Sequence, residues 1–154
     1  MGHEIESAAK ERGHSVKVIV DLENPGDLNS EKFRDIDVAI EFSSPDSALE
    51  NILKCLEIGV PVVSGTTGWL KDYDKAAGAC LKYETSFIHS SNFSIGVNIL
   101  FRLNSQLAKY MNSQKNYSSH IEEIHHTKKL DAPSGTAISL ADGIKQQHHE
   151  YEGW

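Results

Sequence analysis

The stretch DVAIEFSSPDSALENILKCLEIGVPVVSGTTGW, residues 37–69, decides the fold. Asp37–Phe42 reads as a strand. Ser44 follows as a helix N-cap, with Pro45 at the first helical position, where a missing N–H goes unnoticed. Ala48, Leu49, Ile52, Leu53 and Leu56 share one face of that helix, and Gly59 closes it. Val60–Ser64 is a second short apolar run and reads as the next strand. Strand, helix and strand at this spacing form a βαβ unit and demand a parallel sheet.

The alternation extends both ways. Upstream, residues 3–12 read as a helix with Ile5, Ala8 and Ala9 on one face and Gly13 as its stop. Val16–Val20 reads as a strand, and Asn24-Pro25-Gly26-Asp27 is turn chemistry. Downstream, Gly65–Trp69 is a loop, Lys71–Tyr83 a helix and Ser86–His89 a strand. From Ile95 the character changes. Ile99, Leu100, Leu103 and Leu107 mark a longer amphipathic helix reaching about Met111. Tyr117–His126 reads as a strand with mixed faces, residues 128–135 as a loop and Thr136–Gln147 as a helix. The class is α/β: a Rossmann-like parallel-sheet domain over residues 1–94, then an α+β domain over 95–154.

The bulk numbers narrow the function. The chain has 154 residues, 39% hydrophobic and 24% charged, enough to bury a core. A net charge of −7 argues against a broad nucleic-acid or anionic-membrane surface. No run is apolar over a membrane-spanning length. Cys55 and Cys80 form no CxxC pair and read as buried structural thiols in a reducing, cytoplasmic compartment.

In open α/β sheets, ligands bind beyond the carboxyl ends of the strands. Asp21 ends a strand and stands 19 positions after Gly2. A dinucleotide fingerprint sets an acid about 20 positions beyond its glycine loop. Gly2 then reads as the tail of that loop, its first part and the first strand missing, and Asp21 as the acid for the ribose hydroxyls. Its charge leans toward NADH over NADPH. The alternative for Asp21 is a strand-end acid before a turn. Phe42-Ser43-Ser44-Pro45 and Gly65-Thr66-Thr67-Gly68-Trp69 follow the next two strands. Glycine admits a close backbone approach there, and threonine hydroxyls suit a carboxamide; the same composition also makes a plain turn. Ser90-Ser91-Asn92-Phe93 follows the last strand.

Residues 122–137, EEIHHTKKLDAPSGTA, carry the most chemistry. Two histidines and two lysines fall within five residues. Ser134, Gly135 and Thr136 open a helix, whose outward N–H groups and dipole favour an anion. Lys129 adds positive charge, and a histidine supplies an acid/base group near neutrality. This set suits a dianionic substrate that must be protonated. A metal fits less well: adjacent residues of a strand face opposite ways, so His125 and His126 do not chelate together, and no HExxH or Cys-rich set occurs. His148 and His149, in a polar tail, receive no role.

The run from His125 to Ala137 resembles the signature of the dihydrodipicolinate reductases, which carry Glu-x-His-His-x-x-Lys-x-Asp-Ala-Pro-Ser-Gly-Thr-Ala. Asp37–Pro45, Gly65–Trp69 and Asn92–Asn98 match in order, so the resemblance spans nearly the whole chain. It implies an NADH- or NADPH-dependent reduction of a small cyclic dicarboxylate, made from aspartate semialdehyde and pyruvate, on the way to lysine. By that resemblance His125 is the acid/base residue, Lys129 the proton donor and His126 a substrate contact. Ser134, Gly135 and Thr136 cradle a substrate carboxylate. Gly2, Asp21, Phe42, Gly65, Thr66, Thr67, Ser90, Ser91, Asn92 and Phe93 fall to the cofactor. The resemblance further implies an opening strand and glycine loop before Met1 and tetramer-forming strands after Trp154, so that this chain alone binds cofactor poorly and reduces little. Another nicotinamide-dependent reductase of the same plan, and a metabolite-binding module without chemistry, are the competing readings.

Overall fold

The computed structural model describes residues 1–29, 31–127, 132–148 and 151–153. It divides into two compact units, Met1–Ser90 and Ser91–Trp154.

The first unit opens with helix α1 (Gly2–Glu11), which Gly13 stops in a left-handed conformation, φ +80°. Strands β1 (Ala39–Glu41), β2 (Val62–Ser64) and β3 (Phe87–His89) form a parallel sheet in the order β1-β2-β3. Ala39 pairs with Val62, and Val62 with Phe87. Helix α2 (Pro45–Glu57) joins β1 to β2 and helix α3 (Tyr73–Lys82) leads into β3, which makes the two crossovers that parallel strands require. Ser44 caps α2 and Pro45 starts it, as the sequence predicts.

Helix α2 turns Ala48, Ile52, Cys55 and Leu56 into the core, where they meet Val60, Val62, Trp69 and Ala76. The Trp69 ring stacks edge-on against Phe87 and His89. The opposite sheet face carries the cross-strand row Ile40–Val63–Ile88, in which Ile40 and Ile88 are exposed.

The second unit packs helix α4 (Ile95–Met111) against helix α5 (Gly135–Gln147). The Asn104 side chain donates to the Leu140 carbonyl at 2.9 Å, beside Gly143, where a Cβ would stand 3.3 Å from that same amide nitrogen. His148, left without a role by the sequence, is buried and stacks on Tyr151 at 4.5 Å. No helix among the described residues is long and apolar enough to cross a membrane.

Three expectations need correction. Val16–Val20 is not a strand: Val18 and Val20 pack on the core, but no described segment exchanges ladder hydrogen bonds with this run. Tyr117–His126 fails for the same reason, since β-propensity becomes a strand only where a neighbour satisfies the backbone. The helix from Ile95 forms as expected, and its stripe Ile99, Leu100, Leu103 and Leu107 is exposed by 49–62%, while Asn104 of the same helix bonds to Leu140 of α5. Cys80 is only half-buried, whereas Cys55 is buried, and burial with the nearby Glu41 charge pushes its thiol up to about 11.

Candidate functional site

Because β1, β2 and β3 run parallel, their carboxyl ends lie along one edge of the first unit. The organising group there is one the sequence reading passed over. Glu41, last residue of β1, is 8% exposed. It accepts hydrogen bonds from the hydroxyls of Ser43, Ser64 (2.6 Å) and Thr66 (2.9 Å). Thr66 Oγ1 also accepts the Ser43 amide at 2.7 Å. The Thr66 carbonyl accepts from Trp69 Nε1 at 2.9 Å and from His89 Nε2 at 3.1 Å. Thr66 thus locks the loop after β1 to the loop after β2, its hydroxyl bonded to the Ser43 amide and to Glu41.

Phe42 and Gly65 meet on the same edge. A Cβ on Gly65 would stand 2.1 Å from Phe42 Cε1, so the aromatic ring takes the space that glycine leaves. Thr67 is half-buried, Ser43 and Ser44 are exposed, and the Ser90 amide donates to the Ser64 carbonyl at 3.2 Å. Asp21 is exposed after the Val16–Val20 run. Its Oδ1 accepts the Glu23 amide at 2.8 Å, a turn of the Asx kind, which leaves the second oxygen outside that turn. Gly2 is exposed at the first position of α1. At this edge the buried carboxylate of Glu41 is engaged by three hydroxyls, while Ser43 and Ser44 are exposed and Thr67 is half-buried.

In the second unit, Ser134 caps α5 and its Oγ accepts the Ala137 amide at 3.1 Å. That bond satisfies the third helical N–H. The Gly135 and Thr136 amides precede it, and neither is hydrogen-bonded within the helix nor, among the described residues, elsewhere. Glu123 reaches this helix start from the preceding segment. Its Oε1 accepts the Ser134 amide at 2.8 Å, and its Oε2 lies 3.0 Å from His125 Nε2. Hydrogen bonds from Ser134, side chain and backbone, and then from His125, hold the Glu123 carboxyl down at about 2. His125 is therefore one carboxylate away from the amino end of α5. Ser119, Ile121, Glu123, Pro133, Ala137 and Tyr151 are among the residues lining an adjoining cavity of about 400 Å³.

His126 is exposed, and Ser91 Oγ lies 3.1 Å from Ser139 Oγ. Asn92 accepts the Ser94 amide through Oδ1 at 2.9 Å and, with Ser94, holds the Asn98 side chain at the start of α4; Phe93 is 47% exposed. Lys129 lies outside the described residues. Among the described residues, no group of three or more His, Cys, Asp and Glu side chains is gathered as a metal site.

Comparison with known proteins gives two family matches. The family described as "Dihydrodipicolinate reductase, N-terminus" matches residues 1–93, and "Dihydrodipicolinate reductase, C-terminus" matches residues 96–153. A protein of Christiangramia forsetii named 4-hydroxy-tetrahydrodipicolinate reductase is 51% identical over 156 residues, covering 100% of this chain and 64% of that protein. Proteins of the same name from Chromobacterium violaceum and Neisseria gonorrhoeae are 43% and 39% identical over 108 residues. Those two alignments cover 70% of this chain and 39% of each relative. The chain thus spans less than two thirds of the length of the relatives it matches.

Proposed function

The chain belongs to the dihydrodipicolinate reductase family, and on that premise we propose that it serves the reduction of a cyclic dicarboxylate, 4-hydroxy-tetrahydrodipicolinate, with NADH or NADPH. The first unit carries the cofactor end of the reaction and the second unit the substrate end. A nicotinamide cofactor supplies the hydride when bound. The loops after β1 and β2, with Phe42, Gly65 and Thr67, would hold its nicotinamide side, and Ser90 to Phe93 are further candidates for the cofactor. Asp21 would hold its ribose, with the lean toward NADH that its charge gives. Free Cys55 and Cys80 accord with a reducing compartment.

At the substrate end, the Gly135 and Thr136 amides receive a substrate carboxylate, helped by the dipole of α5. His125 supplies or takes the proton, and Lys129 is the second proton source and a counter-charge for the dianion. His126 contacts the substrate. The observation that supports this reading is the shared carboxylate: Glu123 accepts from both Ser134 N and His125 Nε2, which links the His125 ring to the start of α5.

The reading is tested by steady-state nicotinamide oxidation with the proposed substrate, in a protein of the relatives' full length. His125→Gln should lower kcat by about 10²–10⁴, the usual worth of a positioned proton-transfer group, with a small change in substrate KM. An unchanged kcat would remove His125 from the chemistry.

A further inference from the structure

We propose that Glu123 is a positioning residue that keeps the proton of the neutral His125 ring on Nε2, making Nδ1 the atom through which His125 exchanges its catalytic proton. The inference rests on the reading of His125 as the acid/base group and adds which ring nitrogen acts and what selects it.

The argument begins with the carboxylate. An ionised carboxylate only accepts hydrogen bonds. At 3.0 Å from Glu123 Oε2, His125 Nε2 must therefore be the donor. The carboxylate is not free to swing away, because Oε1 accepts the Ser134 amide at 2.8 Å. Ser134 is anchored in turn by the bond from the Ala137 amide to its Oγ. Moving Glu123 would leave the Ser134 amide without its acceptor. Hydrogen bonding keeps the Glu123 carboxyl near 2, so it stays an anion across the working range and does not take the ring's proton.

A neutral imidazole carries one N–H, so a proton held on Nε2 leaves the lone pair on Nδ1. The second proton enters at Nδ1. In the acid step the Nδ1–H bond breaks, a new bond to hydrogen forms at the basic atom of the substrate, and the electron pair stays on Nδ1. The ring returns to its neutral Nε2–H form, with no proton passing to Glu123. The His125 side chain keeps 41% exposure, which leaves room for a ligand.

The test uses ring-¹⁵N-labelled full chain, read by long-range ¹H–¹⁵N correlation at a pH where the ring is neutral. The wild-type ring should show a protonated Nε2 and a lone-pair Nδ1, with the Nε2 proton slow to exchange. In Glu123→Gln the amide oxygen stays on Ser134 N and the NH₂ group faces the ring, so the proton should move to Nδ1. A wild-type Nδ1–H tautomer would overturn the proposal. So would a Glu123→Gln ring that stays Nε2–H while the Ser134 amide resonance reports an intact helix start. Should that variant lose the helix start, the wild-type exchange rate decides: an Nε2 proton exchanging as fast as that of an exposed histidine overturns the pairing. None of these readouts needs turnover. Full kcat in His125→Gln would end the acid/base reading and leave the Glu123–His125 pair standing, whereas an unmoved tautomer ends the pair alone.

Discussion

The Thr66 hydroxyl donates to the buried carboxylate of Glu41 at 2.9 Å and accepts the Ser43 amide at 2.7 Å, so one side chain ties two strand-end loops together. Thr66→Val keeps the shape and removes both bonds. It leaves the Ser43 amide without its acceptor and Glu41 short of one donor. Denaturant unfolding should show a loss of about 1–3 kcal/mol, the cost of buried polar groups left unpaired. A loss within measurement error would mean that water or a rotated serine takes over the bonds.

Gly65 tests the same edge sterically. A Cβ there would stand 2.1 Å from Phe42 Cε1, well inside contact distance. Gly65→Ala should therefore destabilise by about 1–3 kcal/mol, as overpacking does. Adding Phe42→Leu should restore part of the loss, because the two positions share one space and their effects are not additive. Additive losses in the double variant would show that the ring and the glycine are not in contact.

Glu123 gives a pH signature. Its carboxyl sits at about 2 in the folded chain against 4.5 for the free group, so its ionised form is favoured by folding. That contribution is complete above about 4.5 and is lost as pH falls from there through about 2. The side-chain ¹³C resonance of Glu123 should titrate near 2, and Glu123→Gln should flatten the acid limb of the stability curve. A midpoint at the ordinary value for glutamate would contradict the paired geometry.

Much of the architecture could be read from the residues, and the exceptions share a cause. The βαβ unit of residues 37–69 was legible because Ser44, Pro45 and Gly59 fix the helix ends locally and the Ile52–Leu56 face fixes its burial. The runs Val16–Val20 and Tyr117–His126 have strand-like composition, but a strand also depends on a partner elsewhere. The same holds for Ile99, Leu100, Leu103 and Leu107, whose periodicity states which face is apolar and not what covers it. At the candidate site, the start of a helix at Pro-Ser-Gly-Thr is legible in the residue order, whereas the side-chain cap at Ser134 comes from the structure. Glu41 and Glu123 were passed over because their roles arise from folding. Glu41 draws the Ser64 and Thr66 hydroxyls from a segment more than twenty residues away, and Glu123 an amide eleven residues away. A faint signal existed for Glu123: it stands two residues before His125, and in extended chain such residues share a side.

The central claim is that the amino end of α5 receives a carboxylate of the substrate. The most direct measurement is an amide-resolved NMR titration of the chain with pyridine-2,6-dicarboxylate, a planar ring carrying two carboxylates. The Gly135 and Thr136 amides should shift together and saturate, pyridine with one carboxylate should bind at least tenfold more weakly, and Ser134→Ala should weaken the response. Saturation that moves other amides while Gly135 and Thr136 stay in place would contradict the account.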